Sequence, residues 1–150
     1  MWVVDWALEE DQRTLRVGDP FRSWLTFGDA DRLRDCPPDH LQTIQGLARS
    51  LPRWPGAEDG RHPVAITVGD AMLYWDAPRP IDGPIDVTGS VSSNNIDAPD
   101  GFPDVCGVIR RVRTDWQPVA ASETDRLLAP VADARTRWTG CLIDLDLTTA

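Results

Sequence analysis

Lysine is absent from this chain: all 15 basic residues are arginine, set against 24 aspartates and glutamates. The all-arginine choice fits a GC-rich genome and carries no mechanism. The formal charge of −9 repels a phosphate backbone over most of the surface, which argues against nonspecific nucleic-acid binding and favours solubility or a basic partner. Cysteine is scarce and odd in number, with Cys36, Cys106 and Cys141, and the start of the chain lacks a charged segment followed by an apolar one. The expectation is therefore a reducing cytoplasm and no secreted disulfide framework. Long apolar runs are missing as well. Even Cys141-Leu142-Ile143 is cut short by aspartates, far below the ~18 residues that cross a bilayer, so no membrane association is expected. Tyrosine occurs once and tryptophan seven times. Indoles fill cores and anchor interfaces alike. Neither a Gly-x-Ser-x-Gly elbow nor a Gly-rich phosphate loop occurs, so no hydrolase or nucleotide motif is available.

What is present suffices for one β-rich domain over residues 1–150. At 41% hydrophobic residues, a chain of 150 can bury a core without disulfide or metal staples. Trp2, Val4 and Trp6 share one face of an opening strand. Arg13 to Val17 and Phe21 to Phe27 read as strands on either side of a Gly18-Asp19-Pro20 bend, with Phe21, Leu25 and Phe27 on one face and Arg22, Trp24 and Thr26 on the other. Val64, Ile66 and Val68 alternate, Gly69-Asp70 turns the chain, and Met72 to Trp75 returns. Ile85, Val87, Gly89 and Val91 share a face of a further strand, Val105 to Trp116 forms a long one in which Gly107 marks a bulge or a close backbone approach, and Trp138 to Leu147 forms the last, with Ile143, Leu145 and Leu147 facing in.

One helix is predicted, from Asp39 to Leu51: Asp39 and Gln42 make a capping-box pattern, Leu41, Ile44, Leu47, Ala48 and Leu51 recur at helical spacing, and Pro52 ends it. A second short helical turn is expected over Ser122 to Leu128. Leu15 to Trp24 aligns without gaps on Ile66 to Trp75, both reading apolar-x-Val-Gly-Asp-x-apolar-x-x-Trp. Sharply bent units of this kind build small barrels, and either an internal duplication or a recurrent barrel corner explains the match. The fold expected is a small barrel or rolled antiparallel sheet with one packed helix.

Candidate chemistry is sparse. Cys36 and His40, with Cys106, Cys141 or His62, hold zinc-ligand types but lack a paired knuckle, and free cysteine in a strand is commonly a small core hydrophobe. Cys36 before a helix start with His40 one turn on is the one nucleophile candidate, against which Pro37-Pro38 reads simply as a rigid lead-in. No catalytic residue, metal or cofactor is assigned. The loop around Asp97, Asp100 and Asp104 holds no basic residue; its spacing is not that of an EF-hand, and it suits a positively charged partner. With Trp54 and Trp116 as exposed-tryptophan candidates, these three aspartates make up the proposed partner-binding set. Arg110, Arg111 and Arg113 form the one local basic cluster, with Arg110 placed by strict alternation on the face opposite the other two. Such a strip, together with Trp116, could grip single-stranded nucleic acid, or pair with the many aspartates.

Val4-Asp5-Trp6, Val17-Gly18-Asp19 with Trp24, and Gly107 to Val112 together resemble the pattern of a small actinobacterial domain family whose members open with a Trp-containing strand and a Val-Gly-Asp turn. Members often carry a cysteine pair after the first strand, where this chain has Leu8-Glu9-Glu10. The resemblance implies a bacterial cytoplasmic origin and supplies no catalytic residues. The function expected is a non-enzymatic, acidic protein-binding module, akin to an immunity protein, an antitoxin or a small regulator. The alternatives are a small barrel that binds single-stranded nucleic acid or a small ligand and, third, a Cys/His metal-dependent enzyme.

Overall fold

Side chains that alternate between apolar and polar bury one face as a strand, as along Pro20–Ser23 and residues 83–88, while segments largely apolar on both sides, such as Ala71–Ala77, make strands covered on both faces. The computed structural model describes residues 2–4, 15–29, 38–93, 98–118 and 136–147. It contains β1 (Trp2–Val4), β2 (Pro20–Ser23), β3 (Leu25–Asp29), β4 (Leu41–Ser50), β5 (His62–Val68), β6 (Ala71–Ala77), β7 (Gly83–Ser93), β8 (Val105–Pro118) and β9 (Thr136–Leu147). Five of these close a barrel in the order β7-β3-β6-β5-β4-β7. All contacts around the ring are antiparallel except β3–β6, which is parallel, with Leu25 opposite Leu73 and Thr26 opposite Tyr74.

The long β7 joins the barrel to the rest of the sheet. One of its edges pairs with β3; the other pairs with β4 from Gly83 to Ser90 and then, at Ser92 and Ser93, with β1. From β1 the sheet continues through β9 and β8 to β2. A single buried cluster spans both parts, combining Phe27, Ile44, Val64, Ile66, Leu73 and Trp75 of the barrel with Phe21, Val105, Ile109 and Ile143 of the outer strands. The Phe27 and Trp75 rings meet edge to face at 5.3 Å.

The helix predicted over Asp39 to Leu51 does not form. A single 3-10 turn, Pro38–His40, leads straight into β4. Along β4 the burial has a period of two, with Ile44 and Ala48 inside and Gln45, Leu47 and Arg49 outside. Leu47, part of the helical pattern, is 56% exposed. Strand pairing on both edges, to β5 and β7, outweighs local helical periodicity. Gly46 marks the reason: a Cβ there would lie 2.5 Å from the Thr67 carbonyl oxygen of the adjacent strand.

Two further expectations change. Leu15 to Val17 is no strand. It runs into a turn at Val17-Gly18 (φ 93° at Gly18), which is latched to β8 by the Gly18 N–H on the Ile109 carbonyl (2.8 Å) and the Ile109 N–H on the Asp19 carbonyl (3.0 Å). Phe21 to Phe27 is two strands broken at Trp24, with β2 on β8 and β3 in the barrel. In the matching downstream segment, Gly69 (φ 57°) and Asp70 form the two-residue turn of the β5–β6 hairpin, closed by Val68 opposite Ala71. The turn expected at Ser122 to Leu128 lies outside the described residues.

Candidate functional site

Both faces of β6 are buried. Ala71, Leu73, Trp75 and Ala77 point into the barrel, and Tyr74 and Asp76 point outward yet are 0% and 1% exposed. Two loops cover them. The loop from Leu51 to Arg61 is ordered by its own arginine: the Arg53 guanidinium donates to the carbonyls of Ala57, Glu58 and Arg61 at 3.2–3.4 Å and to Asp59 Oδ1 at 2.7 Å. That scaffold holds Trp54 over the barrel wall, where its indole Nε1 donates to the Tyr74 hydroxyl (2.8 Å). The Tyr74 hydroxyl in turn donates to Asp76 Oδ1 (2.7 Å). Beneath the Trp54 ring lies Gly56, where a Cβ would come within 2.2 Å of the indole, so only glycine accommodates this pose.

The second covering loop is the acidic one. Its Pro99–Phe102 turn is closed by the Phe102 N–H on the Pro99 carbonyl (2.9 Å), with Gly101 at φ 78°, a type II signature. Phe102 meets Tyr74 edge to face at 5.7 Å, and Trp54 meets it at 6.2 Å. Arg22 Nε donates to Asp104 Oδ2 (2.7 Å) and ties the loop's far end to β2. Between the two loops opens a cavity of about 500 Å³ whose lining includes Trp24, Trp54, Phe102, Asp100 and Asp104.

A second polar group anchors the same wall from inside. Arg61 donates through Nε to the Asp76 carbonyl (2.8 Å) and through a terminal nitrogen to Asp29 Oδ2, which also accepts from the Trp75 indole (3.0 Å). Both members of this ion pair are largely shielded, with side-chain exposures of 17% and 12%. Burial pushes the Tyr74 phenol well above the usual tyrosine range. Asp76 as its acceptor and neighbouring charge acts in the same direction, while the Trp54 hydrogen bond and Arg53 oppose it.

Of the partner-binding set, Trp54, Asp100 and Asp104 thus line one cavity; Asp97 and the side chain of Trp116 lie outside the described residues. Trp24, Phe102 and Tyr74 belong to the same site and were not singled out from the sequence. Phe102, flanked by Gly101 and Pro103 as the one aromatic in the acidic loop, was the available signal.

The arginine strip sits elsewhere. A bulge between Ile109 and Arg111 overrides the alternation that put Arg110 on the opposite face, and both Arg110 and Arg111 reach the aspartates of β9. Arg110 pairs with Asp146 (2.5 Å) and Arg111 with Asp144 (3.2 Å), while Arg113 is exposed. Among the described residues no three His, Cys, Asp or Glu side chains are grouped to hold a metal; Cys36 and the side chain of Cys141 lie outside them, Cys106 is half-buried, and His40 is buried.

Fold and site together define a mainly β protein built on a closed five-stranded barrel, with an aromatic and acidic cavity on its outer wall. No family model matches the chain, nor does any curated protein or solved structure. Among the described residues no helix is long and apolar enough to cross a membrane.

Proposed function

We propose that the protein is a non-enzymatic binding module that engages a basic protein partner through the face formed by the Leu51–Arg61 loop and residues 98–104. The observation that carries this reading is the cavity itself, where aromatic anchors of the kind that dominate interfaces stand beside carboxylates on a chain of net charge −9. A rigid barrel wall presenting two braced loops also keeps the ordering cost of association low.

Tagged protein and the Asp100→Asn/Asp104→Asn double variant are to be recovered side by side from the native host at low and high salt, with nuclease treatment. The expected result is a stoichiometric basic protein that leaves as salt rises and is absent from the variant. Equal recovery with wild type and variant, or no partner at any salt, overturns the proposal. Nuclease-sensitive nucleic acid in its place would move the weight to the single-stranded nucleic-acid reading, against which the pairing of Arg110 and Arg111 with Asp146 and Asp144 counts.

A further inference from the structure

We infer that the cavity between Trp24, Trp54 and the 98–104 loop is a receptor for one organic cation, the guanidinium or ammonium head of an arginine or lysine side chain projecting from the partner. This rests on the reading of the face as a protein-binding surface and adds the chemistry that would select the partner.

Three independent features converge on a cation. The first is the wall: two indoles and a phenyl ring contribute to a cavity of about 500 Å³, and the negative π-faces of such rings attract a nearby positive head. The second is charge. Among the described residues the lining carries Asp100 and Asp104 and no basic side chain. Arg22 is already committed to Asp104, and Arg53 to Asp59 and the backbone of its own loop. Asp100 has no ion pair among the described residues. The third is rigidity. Trp54 is fixed by its hydrogen bond to Tyr74 and by the glycine beneath it, and Phe102 by its edge-to-face contact with Tyr74, so the rings stand in place before any ligand arrives. Arg22, gripping Asp104 from β2, already shows one carboxylate of the lining holding a guanidinium.

The test is titration of the full chain with the tripeptide Gly-Arg-Gly, followed by the tryptophan indole N–H resonances. Its citrulline counterpart, which is isosteric and uncharged, serves as control, and choline as a cation free of any peptide. Saturable shifts with Gly-Arg-Gly, at least 10-fold weaker with the citrulline peptide, are expected. Asp100→Asn on the exposed turn is expected to weaken binding about 3- to 10-fold. Gly56→Ala, whose Cβ displaces the Trp54 ring from over Tyr74, is expected to do the same. Equal binding of the citrulline peptide, or of Asp100→Asn and Gly56→Ala alike, overturns the inference. Tighter binding of choline than of Gly-Arg-Gly overturns the side-chain source and assigns the site to a small quaternary ammonium compound. If the tripeptide binds as expected while the host yields no partner protein, the protein-binding reading fails and the cation site stands.

Discussion

Tyr74 is the one tyrosine in a chain without lysine, so above the range of the cysteine thiols it is the one side chain left to titrate before arginine. Its phenol is buried and donates to Asp76, and its proton is held more tightly in the folded state than in the unfolded one. The unfolded chain therefore loses this proton first. Stability is complete below about pH 10 and falls above it, with a limiting slope of about 1.4 kcal/mol per pH unit. Phenolate absorbance near 295 nm should stay absent from the folded protein through pH 10 and rise only with unfolding, a coincidence that Tyr74→Phe removes. A phenolate signal at the ordinary tyrosine pH in fully folded protein would contradict the burial. Arg61 poses a different question of partnership. Arg61→Ala leaves Asp29 shielded from water without its counter-ion and is expected to cost about 3–5 kcal/mol. Arg110→Ala, whose pair with Asp146 is solvent-exposed, should cost less than about 1 kcal/mol, both variants being compared with the parent by urea titration.

At the scale of the element, β4 separates two readings of one sequence by the sign of a single substitution. In the predicted Asp39–Leu51 helix, replacing mid-helix Gly46 by alanine would stabilise the protein by up to about 1 kcal/mol. In the strand, the new Cβ runs into the Thr67 carbonyl and the Ile66 and Val68 side chains, and Gly46→Ala is expected to destabilise by about 1–3 kcal/mol. β2, the first half of β7 and the end of β9 were legible because only one face is buried there: Phe21 and Ser23, Ile85 and Val87, and Ile143 and Leu145 repeat every second residue. β4 was not, because Leu41, Ile44, Leu47 and Ala48, with Leu51 just after it, happen to satisfy a helical period, and what excludes the helix is pairing to residues 64–67 and 83–90, which no local window contains. The bulge at Arg110 escaped for a related reason. Pattern alone put a bulge or a close backbone approach at Gly107; the close approach is there, since a Cβ would lie 2.8 Å from the Asp146 carbonyl oxygen, while the register shifts fall between Ile109 and Arg111 and between Asp115 and Trp116.

Across the whole molecule, the acidic rim of the candidate site was readable as composition, since Asp100 and Asp104 sit in one loop without a basic residue. Its aromatic walls were not, because Trp24, Trp54 and Phe102 come from three segments, the last two meeting over Tyr74 only once the barrel has closed beneath them. The same closure bears on how the protein unfolds. β7 lends one edge to β3 and the other to β4 and then β1, and Phe21, Val105, Ile109 and Ile143 of the outer strands pack in the same cluster as Val64, Ile66 and Leu73 of the barrel. Neither part can open without exposing apolar surface of the other, and that shared burial is the physical basis of an all-or-none transition. Ile143→Ala, in a strand that takes no part in the barrel ring, is therefore expected to lower stability by about 2–5 kcal/mol and to shift the urea midpoints of far-UV ellipticity and tryptophan fluorescence by the same amount, with the slope unchanged. Val64→Ala, inside the barrel, should move both midpoints together as well. If Ile143→Ala instead splits the curves, with part of the signal lost before the rest, the outer strands are a unit that frays from a self-sufficient barrel, and the cavity, whose 98–104 loop leads into β8 and is tied to β2 by Arg22, would be lost with them.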